Sequence, residues 1–546
     1  MRKTPQKLYL YIGFLLALNV CIIGCEKDLF KLDRLVDNQW DPEFAVALVN
    51  GSVGINDIDL TSNSYLQVAA DNSINLIYNG TVNTYNASDF IPRITSTPLQ
   101  QTIALTPQEA AGLALAPVGT SFPITASQSV DLTAQTNIKM EIDSITLKTG
   151  IFNIDVDNKF SHNVRVVITI PAIITNGVAL NRTISLGPNA RGTITADISN
   201  LMINITKNGT TTNYLEANYN ITFTKTASPI LSGSLTITGS ILNPTLRLVY
   251  GEAKQQSFLN TTNDSIPINI FETPVSGSLL LNDATLKLSF ANSFGIPISV
   301  NIPQVKGTSL TNGTFFLNTA GINPQNFVIA APANIRQTAN SVLTLTKNNP
   351  PTNGNLLSLP DFLSKLPRAF TPQFSAQTNP SSVTRPAYKN FVSDTSKLKI
   401  AGEITIPLEG RASNFLIRDT FDYDFGDVDN VESFVLRTWF NNGFPVTLSP
   451  RLTFTDNSYN VIHVIDGQTN ALIKSAPVDA NGKVTSKLAT QSDFTIPSSV
   501  VQNLNRVKKV ITTAGIATAN NGNQTVKIFS DYLIDVKIGA KAKLKL

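Results

Sequence analysis

Along most of the chain, apolar and polar residues alternate with a period of two. Phe152, Ile154 and Val156 fall on one side, and Asn153, Asp155 and Asp157 on the other. Val164, Val166, Ile168 and Ile170 form a second apolar row. Near the end, Ile534, Val536, Ile538, Ala540, Ala542, Leu544 and Leu546 oppose Asp535, Lys537, Lys541, Lys543 and Lys545. Successive side chains of a pleated strand point to opposite faces, so this pattern predicts strands with one dry and one wet face. The lysine row would also discourage stray pairing if the last strand lay at an edge. From about Val46 onward, such runs are punctuated by Asn, Gly, Asp and Ser, the residues of tight turns. Three stretches predict short helices instead. Thr106-Pro107-Gln108-Glu109 is a capping box with proline at the first helical position, opening a helix to about Leu115. A second covers about Leu356 to Leu366, stopped by Pro367. A third runs from about Ser498 to Val510, with Arg506, Lys508 and Lys509 set against the dipole of its last turns.

One motif recurs three times: an apolar strand, then Asn-x-Phe, then a second apolar strand. The copies centre on Asn158-Lys159-Phe160, Asn292-Ser293-Phe294 and Asn442-Gly443-Phe444, spaced 134 and 150 residues apart. Asn tolerates the left-handed conformation of a tight turn, and the Phe is placed to plug the end of a core. Recurrence at near-domain spacing predicts repeated β modules. The run Asn292-Ser293-Phe294-Gly295-Ile296-Pro297-Ile298 resembles the strand-turn-strand of water-stress and late-embryogenesis domains. That resemblance covers about 15 residues per copy and implies small β-sandwiches.

A length of 546 residues is more than one core spans. The expected division is a leader over 1–24, a tether over 25–45, an N-terminal β region over 46–125 and modules over 126–245 and 246–350. A linker with a short helix follows over 351–390, and a third module over 391–546. Asn348 to Gly354 and the proline-bearing Thr371 to Lys389 read as loops or spacers. The fold class expected is therefore mainly β: several sandwich-like modules in tandem with a few short helices.

The leader changes the picture most. Arg2, Lys3 and Lys7 precede a 16-residue apolar stretch, Leu8 to Ile23, broken only by Gly13 and Asn19. That is short of the roughly 20 residues of a spanning helix. It ends in Ile22-Ile23-Gly24-Cys25, which closely resembles a bacterial lipoprotein lipobox. Cys25-Glu26-Lys27-Asp28 resembles the export signal of Bacteroidota-type surface lipoproteins, although Leu29 stands where a second acid is usual. Trp40-Asp41-Pro42-Glu43-Phe44-Ala45 also resembles lipoproteins of that group. The resemblance implies lipidation at Cys25, outer-membrane anchorage and a body facing the cell surface. Two acyl groups and a third on the amine would anchor stably, since each buried methylene contributes about 0.8 kcal/mol.

Charge and thiol content narrow the function classes. Net charge is +4, and removing the three leader cations leaves 4 − 3 = +1. A nearly neutral chain gives no reason to expect nucleic acid as a partner. The two cysteines, Cys21 and Cys25, both lie in or beside the leader, so the folded part is expected to hold no disulfide and no Cys-ligated metal. His162 and His463, 301 positions apart, make a His/Cys zinc site untenable.

The candidate chemistry is sparse. Asp419, Asp422, Asp424, Asp427 and Asp429 offer hard oxygen ligands for calcium, yet Phe421, Tyr423 and Phe425 alternate with them as in a strand with a wet face. Glu403, Glu409 and Asp419 are the carboxylates a glycosidase would draw on, with no motif behind them. A Ser-His-Asp triad would have to use His162, in the polar turn Ser161-His162-Asn163, or His463, in an apolar strand. Trp439 precedes the third Asn-x-Phe turn and is expected in the core rather than stacked on a sugar. Asp143-Ser144-Ile145 and Asp264-Ser265-Ile266 resemble the O-glycosylation sequon of Bacteroidota exported proteins, which makes Ser144 and Ser265 candidates.

The expectation is a lipid-anchored envelope protein that binds or scaffolds, without catalysis or cofactor. Its partners would be the membrane, through the lipid on Cys25, and an envelope protein or ligand. Two alternatives stay open: a carrier of lipid or another apolar ligand, and a glycan-binding or glycan-processing surface protein.

Overall fold

The computed structural model describes residues 43–57, 64–89, 99–131, 140–207, 210–229, 232–255, 257, 265–268, 271, 274–319, 327–347, 356–380, 390–422, 431–466 and 473–544. The protein is mainly β, with three short α-helices among those residues. An N-terminal segment comprises β1 (Glu43–Gly54), β2 (Ser64–Val68), β3 (Ile74–Asn86), β4 (Leu99–Ile103) and helix α1 (Pro107–Leu115). Three modules follow. Module 1 holds β5 (Ser121–Asp131), β6 (Met140–Asn158), β7 (Asn163–Thr175), β8 (Val178–Leu186), β9 (Arg191–Asp197), β10 (Met202–Asn204), β11 (Tyr214–Thr224) and β12 (Leu235–Ala253). Module 2 spans β13 (Ile266–Pro267), β14 (Pro274–Leu281), β15 (Thr285–Asn292), β16 (Ile298–Ser309), β17 (Gly313–Leu317), β18 (Phe327–Ile329), β19 (Ala339–Leu345), β20 (Leu356–Leu357), α2 (Leu359–Ser364), β21 (Ala369–Thr378), β22 (Asn390–Ser393) and β23 (Lys397–Pro407), although β14 pairs into a sheet of module 3 and β22 into a sheet of module 1. Module 3 holds β24 (Glu409–Asp422), β25 (Val431–Asn442), β26 (Val446–Thr455), β27 (Val461–Asp466), β28 (Leu488–Ile496), α3 (Ser498–Val501), β29 (Lys509–Thr518), β30 (Val526–Lys527) and β31 (Leu533–Leu544).

The three modules share one topology. The strand before each Asn-x-Phe turn (β6, β15, β25) is flanked by the module's last strand (β12, β23, β31) and by β9, β19 or β28. The strand after the turn (β7, β16, β26) lies in the opposite sheet, between β11, β21 or β29 and β8, β18 or β27. β5, β13 and β24 then extend that second sheet. Period-two burial fills the space between the sheets. Phe152, Ile154 and Val156 are buried in module 1, as are Leu286, Leu288 and Phe290 in module 2. Each chain reversal therefore carries the backbone from one layer of a sandwich to the other.

The N-terminal segment is not a separate layer. β1 pairs with β31, β3 with β23 and β4 with β12, so each module receives a strand from it, and module 2 takes β2 as well, beside β3. The registers match across copies: Ile103, Leu235 and Asn158 lie side by side, as do Tyr85, Leu398 and Asn292, and Val53, Ile534 and Asn442. If the end of a module bearing its Asn-x-Phe turn is its head, the N-terminal segment climbs base to head through modules 3, 2 and 1 in turn. The chain then descends, because β12, β23 and β31 each run from head to base.

Main-chain hydrogen bonds join head to base. At the head of module 2, Gly295 N–H donates to Phe391 O (2.8 Å). β22, which contains Phe391, pairs with the base end of β12. Asn390 ties both sides: its side-chain oxygen accepts from Ala253 N–H (3.1 Å), and its amide donates to Gly295 O (2.8 Å). At the head of module 3, Ile528 N–H donates to Leu408 O (2.9 Å), Leu408 N–H to Ile74 O (2.8 Å) and Ser530 N–H to Asn72 O (2.9 Å). Lys527 and Asp71 close that junction with a 2.7 Å ion pair.

Several elements depart from the sequence reading. Leu359–Ser364 is helical, but Leu356–Leu357 is a strand, so the second helix is shorter than expected. The third stops at Val501. A 3-10 turn follows at Leu504–Arg506, and Lys509–Thr518 is a strand. The β-branched run Val510-Ile511-Thr512-Thr513 prefers the pleated surface, and Lys509, expected near a helix end, begins that strand. Ala369–Thr378, within the expected spacer, is a strand burying Phe370, Phe374 and Ala376 on one face. Pro372 had argued against it. The 348–354 spacer lies outside the described residues. The last strand is not an edge: β31 is paired on both sides, by β1 and β25.

Candidate functional site

The three Asn-x-Phe turns are built alike. In each, the Asn side-chain oxygen accepts from the N–H two residues on: Phe160 (3.0 Å), Phe294 (2.9 Å) and Phe444 (2.8 Å). Its amide donates to the carbonyl four residues on: His162 (2.9 Å), Ile296 (3.0 Å) and Val446 (3.0 Å). It donates again to a neighbouring segment, at Gly187 O (2.8 Å), Ala330 O (3.0 Å) or Lys474 O (2.8 Å). Those last acceptors are register equivalents, each one residue beyond the partner of Val164, Ile298 or Leu448. All three Asn side chains are fully buried. None of the three Asn residues has a positive φ, so Asn is used for its hydrogen bonds and not for the left-handed conformation. Phe160 and Phe294 plug their cores fully, whereas Phe444 is half-buried against Tyr532, with centroids 5.8 Å apart. With the amide's donors and acceptor engaged inside the protein, these turns serve architecture.

His162 lies in a turn, yet it is buried. Its Nδ1 accepts from Thr226 N–H (3.3 Å), while the Thr226 hydroxyl donates to Ser161 O (2.7 Å). The proton therefore sits on Nε2, which has no protein partner among the described residues. Burial pushes this imidazole below its usual range, and the nearby Lys225 ammonium adds to the shift. His463, on β27, stacks on Phe454 (6.4 Å, 16° between planes) and is also lowered by burial. Among the described residues, His162 makes no hydrogen bond to a carboxylate, and the two imidazoles belong to different modules.

The remaining candidates are dispersed. Cys25 lies outside the described residues. So do Asp424, Asp427 and Asp429, and of Asp419 only the backbone, in β24, is described. Asp422 is exposed and pairs with Lys509 (2.6 Å), which raises the lysine further. Among the described residues, no group of three or more His, Cys, Asp or Glu is placed to hold a metal ion. Glu403 pairs with Lys287 (3.4 Å) and Glu409 accepts from Asn282, so both serve cross-strand contacts. Trp439 is not in the core. Thr438 and Phe440 point inward, and parity sends Trp439 to the wet face under Lys537 Nζ, 5.2 Å from its ring. Ser144 is half-buried in mid-β6, between Tyr250 and Asn204, and Ser265 is exposed just before β13. No helix among the described residues is long and apolar enough to cross a membrane.

The head of module 1 bears the first helix expected from the sequence. There α1 carries the capping box: Thr106 N–H donates to Glu109 (2.7 Å) and Glu109 N–H donates to the Thr106 hydroxyl (3.3 Å). Lys225 Nζ donates to Ala116 O (2.7 Å) and to Ala114 O, capping the helix's other end. Outward from it stand Leu115 and Val118, 89% and 66% exposed. The capping box was legible; the lysine cap, 109 residues away, was not.

No protein-family model matches this chain, and no curated protein matches it. Among solved structures, a candidate secreted protein from Parabacteroides distasonis aligns over 55% of this chain and 84% of its own, at 12% identity and a TM-score of 0.25. A triple jelly-roll protein from an archaeal virus aligns over 83% and 90%, at 11% identity and a TM-score of 0.12. The VP2 subviral particle of infectious bursal disease virus aligns over 74% and 73%, at 8% identity and a TM-score of 0.15. At such TM-scores these likenesses say nothing about activity, substrate or partner.

Proposed function

We propose that the chain is a lipid-anchored protein of the cell envelope, exposed at the outer-membrane surface, with a binding or scaffolding role and no catalysis. One observation carries the reading: a basic and apolar leader ends at Ile22-Ile23-Gly24-Cys25, and no other cysteine follows in the chain. A thiol there can take a diacylglyceryl group as a thioether, and a cut after Gly24 frees the Cys25 amine for N-acylation. A scaffolding role is supported by the repeated sandwiches, whose turns are locked by buried Asn side chains bonded to backbone groups of the same module. Mass spectrometry of protein purified from its own host tests the anchor. The expected product begins at Cys25 and carries a diacylglyceryl group and an N-acyl chain. An unmodified Cys25, or a retained leader, would overturn it.

A further inference from the structure

The path of the backbone gives the stack a direction. β1 enters at the base of module 3, where Glu43 lies opposite Lys543. The N-terminal segment then climbs through modules 3, 2 and 1, and α1 turns it at the top. The heads of modules 2 and 3 are covered by the bases of modules 1 and 2, through Gly295–Phe391 and through Ile528–Leu408–Ile74. The base of module 3 and the head of module 1 are thus the two ends of the stack. Whatever holds the segment before residue 43 holds the base of module 3.

We propose that the base of module 3 is the surface this protein turns toward the membrane, and that module 1, the first module in the sequence, stands farthest from it. This rests on the lipid anchor proposed above. Reach decides the matter. Cys25 and Glu43 are separated by a tether of 18 residues, counting from Cys25. Fully extended, that segment spans at most roughly 60 Å. Strands of 10–12 residues, such as β23 and β31, make each module about 35–40 Å tall, so three in a stack measure on the order of 110 Å. The tether can bring lipid beside modules 3 and 2 but not to the head of module 1. At that head Lys159 lies in the turn and Lys225 is engaged in capping α1, and the helix-bearing segment brings no interfacial anchor of its own. Residues 99–130 contain no Lys, Arg, Trp or Tyr and one acid, Glu109, whereas interfacial elements pair apolar residues with basic and aromatic ones.

The mature chain has a single cysteine, so the test can use single labels. Ser458→Cys places a dye in the exposed turn after β26, at the base of module 3, and Leu115→Cys places one at the head of module 1. The lipidated full-length protein is put into phosphatidylethanolamine–phosphatidylglycerol vesicles with an acceptor dye on a headgroup. Several-fold stronger energy transfer is expected from position 458 than from 115. Equal transfer, or stronger transfer from 115, would overturn the orientation while leaving the anchor intact. A second measurement separates the two readings without lipid: in unacylated mature chain, a donor on the Cys25 thiol should transfer far better to an acceptor at 458 than at 115. The reverse order refutes the orientation. Failure of both variants to join vesicles, with a bare Cys25 in protein from the host, refutes the anchor and the orientation with it.

Discussion

At the scale of single residues, the molecule depends on three buried amides. Each Asn of the Asn-x-Phe turns binds one buried backbone N–H and at least two carbonyls. Replacing Asn292 by Ala strands those groups in a dry core, at a cost of about 2–4 kcal/mol. Asn158→Ala and Asn442→Ala should cost similar amounts, and urea titration reads all three. A loss within experimental error at any of them would show that the shared geometry is not a shared dependence. His162 adds a pH dependence. The buried imidazole binds its proton less readily than in the unfolded chain, whose histidine titrates near 6.5. Stability from this group is therefore complete above that value and falls as pH drops below it. His162→Ile, matching Ile296 in module 2, should flatten the urea midpoint between pH 7 and 5. An unchanged slope would mean that water already reaches Nε2. The motif itself was visible, because Asn-x-Phe recurs. Its partners were not, since Gly187, Ala330 and Lys474 lie 29 to 38 residues away with no shared residue type.

At the scale of elements, period two was a faithful guide wherever one face is dry and the other wet. It failed where local chemistry pointed elsewhere: prolines hid Ala369–Thr378, and a basic cluster mimicked a helix end at Arg506 to Lys509. Which strands pair was out of reach, because alternation names a strand's faces and not its neighbours. The junctions give two expectations. A methyl group on Gly295 would sit 2.3 Å from the Phe391 ring, so Gly295→Ala should loosen the contact of modules 1 and 2 by about 1–3 kcal/mol. Faster hydrogen exchange in β22, with β25 unchanged, would register it. At the next junction, Lys527 and Ser73 hold the Asp71 carboxyl well below the usual carboxylate range. That contribution is present above about pH 4 and lost in stronger acid. Asp71→Asn should remove this acid-range sensitivity. If protease cutting near residue 528 keeps the wild-type pH profile, the pair does not hold the junction.

At the scale of the whole molecule, a single ascending segment laces three sandwiches that the rest of the chain builds on its way down. A protein lacking residues 1–54 should keep modules 1 and 2 but expose the outer side of β31. Hydrogen exchange across 533–544 should then rise sharply while that across β6 and β12 stays slow. Uniform loosening would mean that the lacing acts on all three modules as one unit. The pairing of Glu43 with Lys543 has a further consequence for biogenesis. β1 is complete at Gly54, yet its neighbour β31 is complete only at Leu544, after 544 − 54 = 490 more residues exist. For that whole interval its hydrogen-bonding edge and apolar side need shelter from aggregation. Maturation should accordingly be slow and ordered, with the C-terminal sandwich closing last.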